Sequence, residues 1–280
     1  MGMSAASADP IVIWGAGAIG GTIGAYFIRA GHDVLFVDQD AAHVDAINKT
    51  GLVIEGPIDQ FTVKARAATP EHVTGVYSRI LLCVKAHHTE TATKQLAPHL
   101  AADGYVASFQ NGLNELVIGD IVGPTRTIGA FLNFGADYMS PGVILFGGRG
   151  AVVLGELDGS ISPRLKALYN LMLIFDPNAI MTESIMNYLW GKLGYGALLF
   201  ATALTNASIC DALGADRVHG VSMPSAYSSQ HSKDDAADLA AYPNELAEDL
   251  ARCREWGVEA VATPSVAEMW PSYPAPTATT

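Results

Sequence analysis

Basic residues are scarce in this chain. Sixteen Lys and Arg stand against 28 Asp and Glu, a formal net charge of −12 over 280 residues. A surface of that sign repels phosphate backbones and anionic lipid heads, which argues against nucleic acid or membrane as the main partner. Cysteine is scarcer still: Cys83, Cys210 and Cys253 are odd in number, widely spaced and form no C-x-x-C pair. That spacing supports neither a disulfide framework nor a zinc site, and reduced thiols in a cytoplasmic protein are expected. Met1 to Pro10 has no basic stretch and no apolar stretch, so it does not read as a signal peptide. There is no internal repeat. His87, His88 and Glu90 suggest metal ligands at first sight, but adjacent histidines do not share a helix face and no further ligand completes a set. No metal is expected; the pair reads as the start of a helix bordering a cleft. Leu193 to Cys210 carries no formal charge and touches the lower length limit for a spanning helix. Its glycines, threonines, Asn206 and Ser208 favour a helix buried in a soluble core.

What is abundant is apolar residues, 50% of the chain, enough for one or two domains with a large core. The chain is organised around Ile11-Val12-Ile13-Trp14-Gly15-Ala16-Gly17-Ala18-Ile19-Gly20. A short apolar strand runs into Gly15, Gly17 and Gly20 at G-x-G-x-x-G spacing, and a helical run from Ala18 to Ala30 follows. The first glycine allows the tight turn, the second lets backbone approach a pyrophosphate, and the third lets helix and strand pack closely. A second strand, Asp33 to Asp38, ends in an acid about twenty residues downstream, as expected for a carboxylate that grips a ribose 2′-hydroxyl. The expected dinucleotide site is Gly15, Ala16, Gly17, Ala18, Ile19, Gly20 and Asp38.

Further along, Ala41 to Asn48 reads as a helix ended by Gly51. Leu52 to Glu55 and Phe61 to Ala65 read as a hairpin. Arg79 to Val84 is a continuous apolar run, the signature of a strand buried on both faces of a parallel sheet. Thr89 to Leu100 is helical in pattern, and Tyr105 to Phe109 is a strand ending in Gln110-Asn111-Gly112. The turns at Gly15, Lys85 and Asn111 follow strand ends, where open α/β sheets bind ligands, so they are expected to share one crevice. Thr127 to Ala130, Gly142 to Phe146 and Ala151 to Leu154 read as the far, antiparallel part of the same sheet. Pro163 to Phe175 reads as a helix and Asp176-Pro177-Asn178 as a turn. From Ser184 the pattern becomes helical. The expected domains are 9–183, 184–270 and a frayed tail, 271–280.

The motifs resemble the ketopantoate reductase family. Four strings carry the resemblance, in order: Gly15 to Gly20, Val84-Lys85-Ala86, Gln110-Asn111-Gly112, and Trp190-Gly191-Lys192-Leu193 followed by Thr202-Ala203-Leu204. The resemblance implies an α/β chain: a doubly wound Rossmann sheet followed by an all-helical domain like that of 6-phosphogluconate dehydrogenase. It implies hydride transfer from a nicotinamide cofactor to a 2-oxo acid. Lys192 would protonate or stabilise the forming oxygen, with Lys85 and Asn111 beside nicotinamide and substrate. A developing alkoxide calls for a cationic donor whose contact strengthens in the transition state.

Departures from the family pattern bear on the substrate. The family places asparagines where this chain has Gly196 and Phe200, on the helix face of Lys192. The pocket is therefore expected to suit a 2-oxo acid bulkier or more apolar than ketopantoate. In the carboxy-terminal third, Ser232 is the candidate for a substrate-binding serine, and Asn244 or Glu245 for a catalytic acid position. Glu245 reads equally well as a solvated surface acid. Asp38, followed by Gln39 and Asp40, favours NAD(H), because an acid repels a 2′-phosphate and no Lys or Arg lies between Ala41 and Ile47. NADP(H), usual in the family, is the alternative. An imine reductase, a hydroxy-acid dehydrogenase, or a redox sensor that binds dinucleotide without catalysis are the rival functions. The expected partner is a small-molecule substrate, and a homodimer is the assembly entertained.

Overall fold

A computed structural model describes residues 9–202, with the backbone alone at 195 and 197–202. The compact unit that holds nearly all of them ends at Gly196. β1 (Ile11–Trp14) lies between β2 (Val34–Val37) and β6 (Tyr77–Leu82), parallel to both. On one side β5 (Arg66–Ala68) adds to β2. On the other follow β7 (Leu100–Ser108), β8 (Thr127–Leu132), β11 (Val152–Glu156) and β12 (Ile180–Met181). β11 runs antiparallel to β8; the strands from β5 to β8 are mutually parallel.

The period of two in β1 splits the core. Ile11 and Ile13 face one hydrophobic cluster, Val12 and Trp14 the other. The first cluster is covered by α1 (Ala18–Arg29) and α5 (Pro163–Met172). The second is covered by α3 (Thr89–Leu96) and α4 (Asn114–Val122). α2 (Ala41–Thr50) links β2 to the small sheet described next, and α6 (Ile185–Thr202) begins just after β12. It starts beside the expected boundary at 184, and its first turns belong to the compact unit.

β8, expected in the antiparallel part of the sheet, runs parallel to β7. Two further expectations need correction. Gly142 to Phe146 does not extend the main sheet. It lies in β10 (Val143–Gly148), which joins β9 (Gly135–Ser140), β3 (Leu52–Glu55) and β4 (Phe61–Val63) in a separate four-stranded sheet. The physical reason is exposure. β8 and β11 are buried at every residue, whereas β10 buries only Ile144 and Phe146 and β9 is almost wholly exposed. Tyr26 of α1 fixes this sheet by edge contacts to Phe61 and Phe146, at 5.3 and 6.0 Å between centroids. The second correction concerns Leu100, which opens β7 instead of closing the helix. α3 stops at Leu96 because Pro98 in the next turn has no N–H to donate back along a helix.

Candidate active site

The glycine turn is built by close approach. Gly15 has φ +104°, and a Cβ there would stand 2.8 Å from the Cys83 carbonyl carbon and the Val84 nitrogen. A Cβ on Gly20 would stand 2.0 Å from the Gly15 oxygen, so only glycine lets α1 lie against the turn. Gly17 differs: a Cβ there would meet nothing within 4 Å among the described residues. Gly17 is also the N-cap of α1 and supplies no capping side chain. The positive end of the helix is thus left to an external anion, and the turn fits a pyrophosphate.

The acid expected at the end of β2 is tied into this turn. The Ala16 N–H donates to Asp38 Oδ2 at 2.8 Å, and the Asp40 N–H donates to Oδ1 at 3.0 Å. Asp40 in turn caps α2 by accepting from the Ala42 N–H at 2.9 Å. A residue the sequence did not mark completes the support. His43 is fully buried; its Nδ1 accepts from the Gly142 N–H and its Nε2 donates to the Ala16 oxygen, each at 2.9 Å. Accepting at one nitrogen and donating at the other defines the neutral tautomer. The one available signal was a lone histidine on the apolar face of α2, which is ordinarily no more than a satisfied core histidine.

A cleft of about 830 Å³ crosses these strand ends, lined among others by Gly15, Gly17, Ala18, Ile19, Asp38, Lys85, His87 and Tyr138. The turns at Gly15 and Lys85 share it, while Ala16 and Gly20 are buried behind it and Asn111 is not among its walls. The third turn is nonetheless bound to the second. Gln110 Nε2 donates to the Val84 oxygen and to Thr89 Oγ1, both at 2.8 Å. Asn114 Nδ2 holds the Asn111 carbonyl at 2.8 Å. Asn111 turns its own Oδ1 to Lys192, whose Nζ donates to it at 2.6 Å and also to the Leu132 carbonyl. The Lys192 ammonium stands 5.3 Å from the centroid of the Phe131 ring. Burial lowers its pKa from the ordinary lysine value, which makes it a readier proton donor near neutrality.

Gly196 shares the helix face of Lys192, and a Cβ there would meet nothing within 4 Å among the described residues. Phe200 falls within α6, but its side chain lies outside the described residues, as do Ser232, Asn244 and Glu245. Among the described residues no group of three or more His, Cys, Asp or Glu could hold a metal. None of the described helices is long and apolar enough to cross a membrane.

A strand that enters a helix through a glycine turn, an acid closing the next strand and a cleft across the strand ends together define a Rossmann-type dinucleotide-binding protein. The family model described as ketopantoate reductase PanE/ApbA matches residues 11–159, more than half of the chain, and the chain belongs to that family. A 2-dehydropantoate 2-reductase of Pyrococcus abyssi is 35% identical over 185 residues, 65% of this chain. The chain spans only 59% of the length of that relative. The crystal structure of a PanE/ApbA family ketopantoate reductase from Ralstonia eutropha JMP134 is 26% identical with a TM-score of 0.62, covering 75% of this chain and 72% of its own. A D-mandelate dehydrogenase solved with NADH and anilino(oxo)acetate shares the fold at 23% identity and a TM-score of 0.65, covering 76% and 71%. A second family model, pantoate-beta-alanine ligase, matches residues 215–280. Ser232, Asn244 and Glu245 all fall in that second stretch.

Proposed function

We propose that this chain reduces the carbonyl of a 2-oxo acid with a nicotinamide dinucleotide, NADH in preference to NADPH. The observation that carries the reading is the Lys192 ammonium, held between Asn111 Oδ1 and the Leu132 carbonyl. The turn from Gly15 to Gly20 would hold the pyrophosphate, and Asp38 the adenosine ribose. When bound, the nicotinamide supplies the hydride. Lys192 then donates to the oxygen on which negative charge builds, and Asn111 aims the ammonium. The preference for NADH rests on the acids Asp38, Asp40 and Asp137 in the cleft wall, against one cation among the described residues that line it, Lys85.

The test follows NADH oxidation with a panel of 2-oxo acids. Lys192→Ala is expected to lower kcat about 100- to 1000-fold while leaving the Kd for NADH nearly unchanged, because the contact strengthens only in the transition state. Lys192 must carry its proton to donate it. The rate is therefore expected to fall as pH rises through its lowered pKa, at less alkaline pH than an ordinary lysine would give. Near-normal kcat in Lys192→Ala, or a higher kcat/KM with NADPH in the unmodified chain, counts against the corresponding half of the proposal.

The choice of acid has two supports that pull apart. The space beside Gly196 favours a bulkier substrate or the hydroxy-acid alternative. The match of residues 215–280 to pantoate-beta-alanine ligase favours ketopantoate, because its reduction yields pantoate, the acid named for that ligase. On this second reading the chain joins a reductase to a segment kin to the enzyme that consumes its product. Ketopantoate, NADH, β-alanine and ATP supplied to the full chain would then give an amide as well as NAD. Reduction without amide confines the activity to the first step, and kcat/KM across the panel ranks the acids.

A further inference from the structure

The small sheet reaches the cleft. β9 brings Ala136, Asp137 and Tyr138 to its wall, together with Asp38, Gln39 and Asp40 from the end of β2. Tyr138 is 42% exposed, yet it is not loose. Its hydroxyl donates to Asp40 Oδ2 at 3.1 Å, and its ring meets His43 edge-on at 5.0 Å between centroids. His43 is itself pinned between the glycine turn and Gly142, so the ring position is set by the same contacts that set the turn. Burial first, and then the Asp40 carboxylate, push the hydroxyl pKa up to about 12, so it stays a neutral donor over the working range. A ring held by its hydroxyl and its contact with His43, yet 42% exposed in the cleft wall, offers surface on which a flat aromatic group entering the cleft can stack.

We propose that Tyr138 is the adenine-reading residue of this cleft: its ring receives the base, and its hydroxyl keeps Asp40 within the acidic cluster that repels a 2′-phosphate. The assignment rests on the dinucleotide reading above and adds to it a role for the second sheet. Tyr138 lies next to Asp137 on an exposed strand, so substitutions there are expected to leave the fold intact, and thermal denaturation of each variant checks this.

The experiment titrates NADH, NADPH and 5′-AMP into the full chain by calorimetry, for the unmodified protein and for Tyr138→Ala, Tyr138→Trp and Tyr138→Phe. Loss of stacking in Tyr138→Ala is expected to weaken both NADH and 5′-AMP about tenfold. Tyr138→Trp, which keeps a face, is expected to bind both at least as well as Tyr138→Phe. Tyr138→Phe is expected to hold NADH within about threefold, since it loses a single hydrogen bond, and to narrow the preference over NADPH. Unchanged NADH and 5′-AMP affinity in a folded Tyr138→Ala overturns the proposal, as does a Tyr138→Phe loss equal to that of Tyr138→Ala. An unmodified chain that binds neither dinucleotide overturns the reductase reading instead, and is seen before any variant is made.

Discussion

Two glycines of one motif do different work, and substitution should separate them. Gly20→Ala would put a methyl 2.0 Å from the Gly15 carbonyl oxygen, a backbone atom that cannot swing away. We expect it to cost about 1–3 kcal/mol or more, seen as a lowered Tm. Gly17→Ala meets no such neighbour among the described residues. It is expected to hold Tm within about 1 kcal/mol of stability while weakening NADH at least tenfold, because its methyl occupies space that a pyrophosphate needs. A Gly17→Ala protein with normal NADH affinity would mean the phosphates lie elsewhere. The glycines and Asp38 were legible because the motif is local and each residue has a distinct steric or electrostatic task. His43 and Tyr138 were not, since His43 serves partners on two distant segments, Ala16 and Gly142. No short window of sequence contains such a constellation.

At the level of elements, the strands of the main sheet were readable from their continuous apolar runs, and α1 from its motif. In the small sheet the β3–β4 hairpin is readable, but the partner of β10 is not, because a glycine-flanked, half-exposed strand carries little more than turn chemistry. β5 and β12 are too short to show a period. The seating of α5 is set by a buried charge. Glu156 of β11 is 4% exposed and accepts from Ser162 Oγ at 2.5 Å and from Arg164 Nε at 2.8 Å. Ser162 also caps α5 by accepting from the Leu165 N–H at 3.1 Å. Arg164→Ala would strand the carboxylate and is expected to cost about 3–5 kcal/mol in chemical denaturation. Arg164→Ala combined with Glu156→Leu should recover much of that, since the penalty comes from the orphaned charge. No recovery in the double variant would assign the loss to packing of the Arg164 stem instead.

For the molecule as a whole, the strongest pH dependence of stability is expected from Glu115. It is fully buried on α4, and neither carboxyl oxygen has a hydrogen-bond partner among the described residues. Burial raises its pKa from 4.5 to about 7, outweighing the opposing influence of its own backbone and of Ser108. The unfolded chain ionises this acid first. Stability is therefore intact below about pH 4.5, is lost as pH climbs toward 7, and stays reduced above that by roughly 3 kcal/mol. Glu115→Gln is expected to raise Tm at pH 8, to change it little at pH 4.5, and to flatten the profile between. An equal Tm gain at both pH values would place the effect in packing, not in charge. Sequence alone does not mark this acid, because a glutamate in the first turn of a helix reads as dipole chemistry at a solvated surface.

The buried imidazole that joins Gly142 to Ala16 has a consequence beyond holding a loop. It is expected to couple the seating of a nucleotide at the glycine turn to the rigidity of the small sheet. A ligand that orders the glycine turn should also suppress local opening of β10, although β10 contributes nothing to the cleft wall. Hydrogen exchange would read this directly. NADH is expected to slow amide exchange at Gly142 and through Val143–Gly148. His43→Asn, which cannot span both partners, should abolish that remote protection while leaving the protection of the turn itself. Protection of β10 that survives in His43→Asn would mean the signal crosses by another route, with Tyr26 and its aromatic contacts the next to examine.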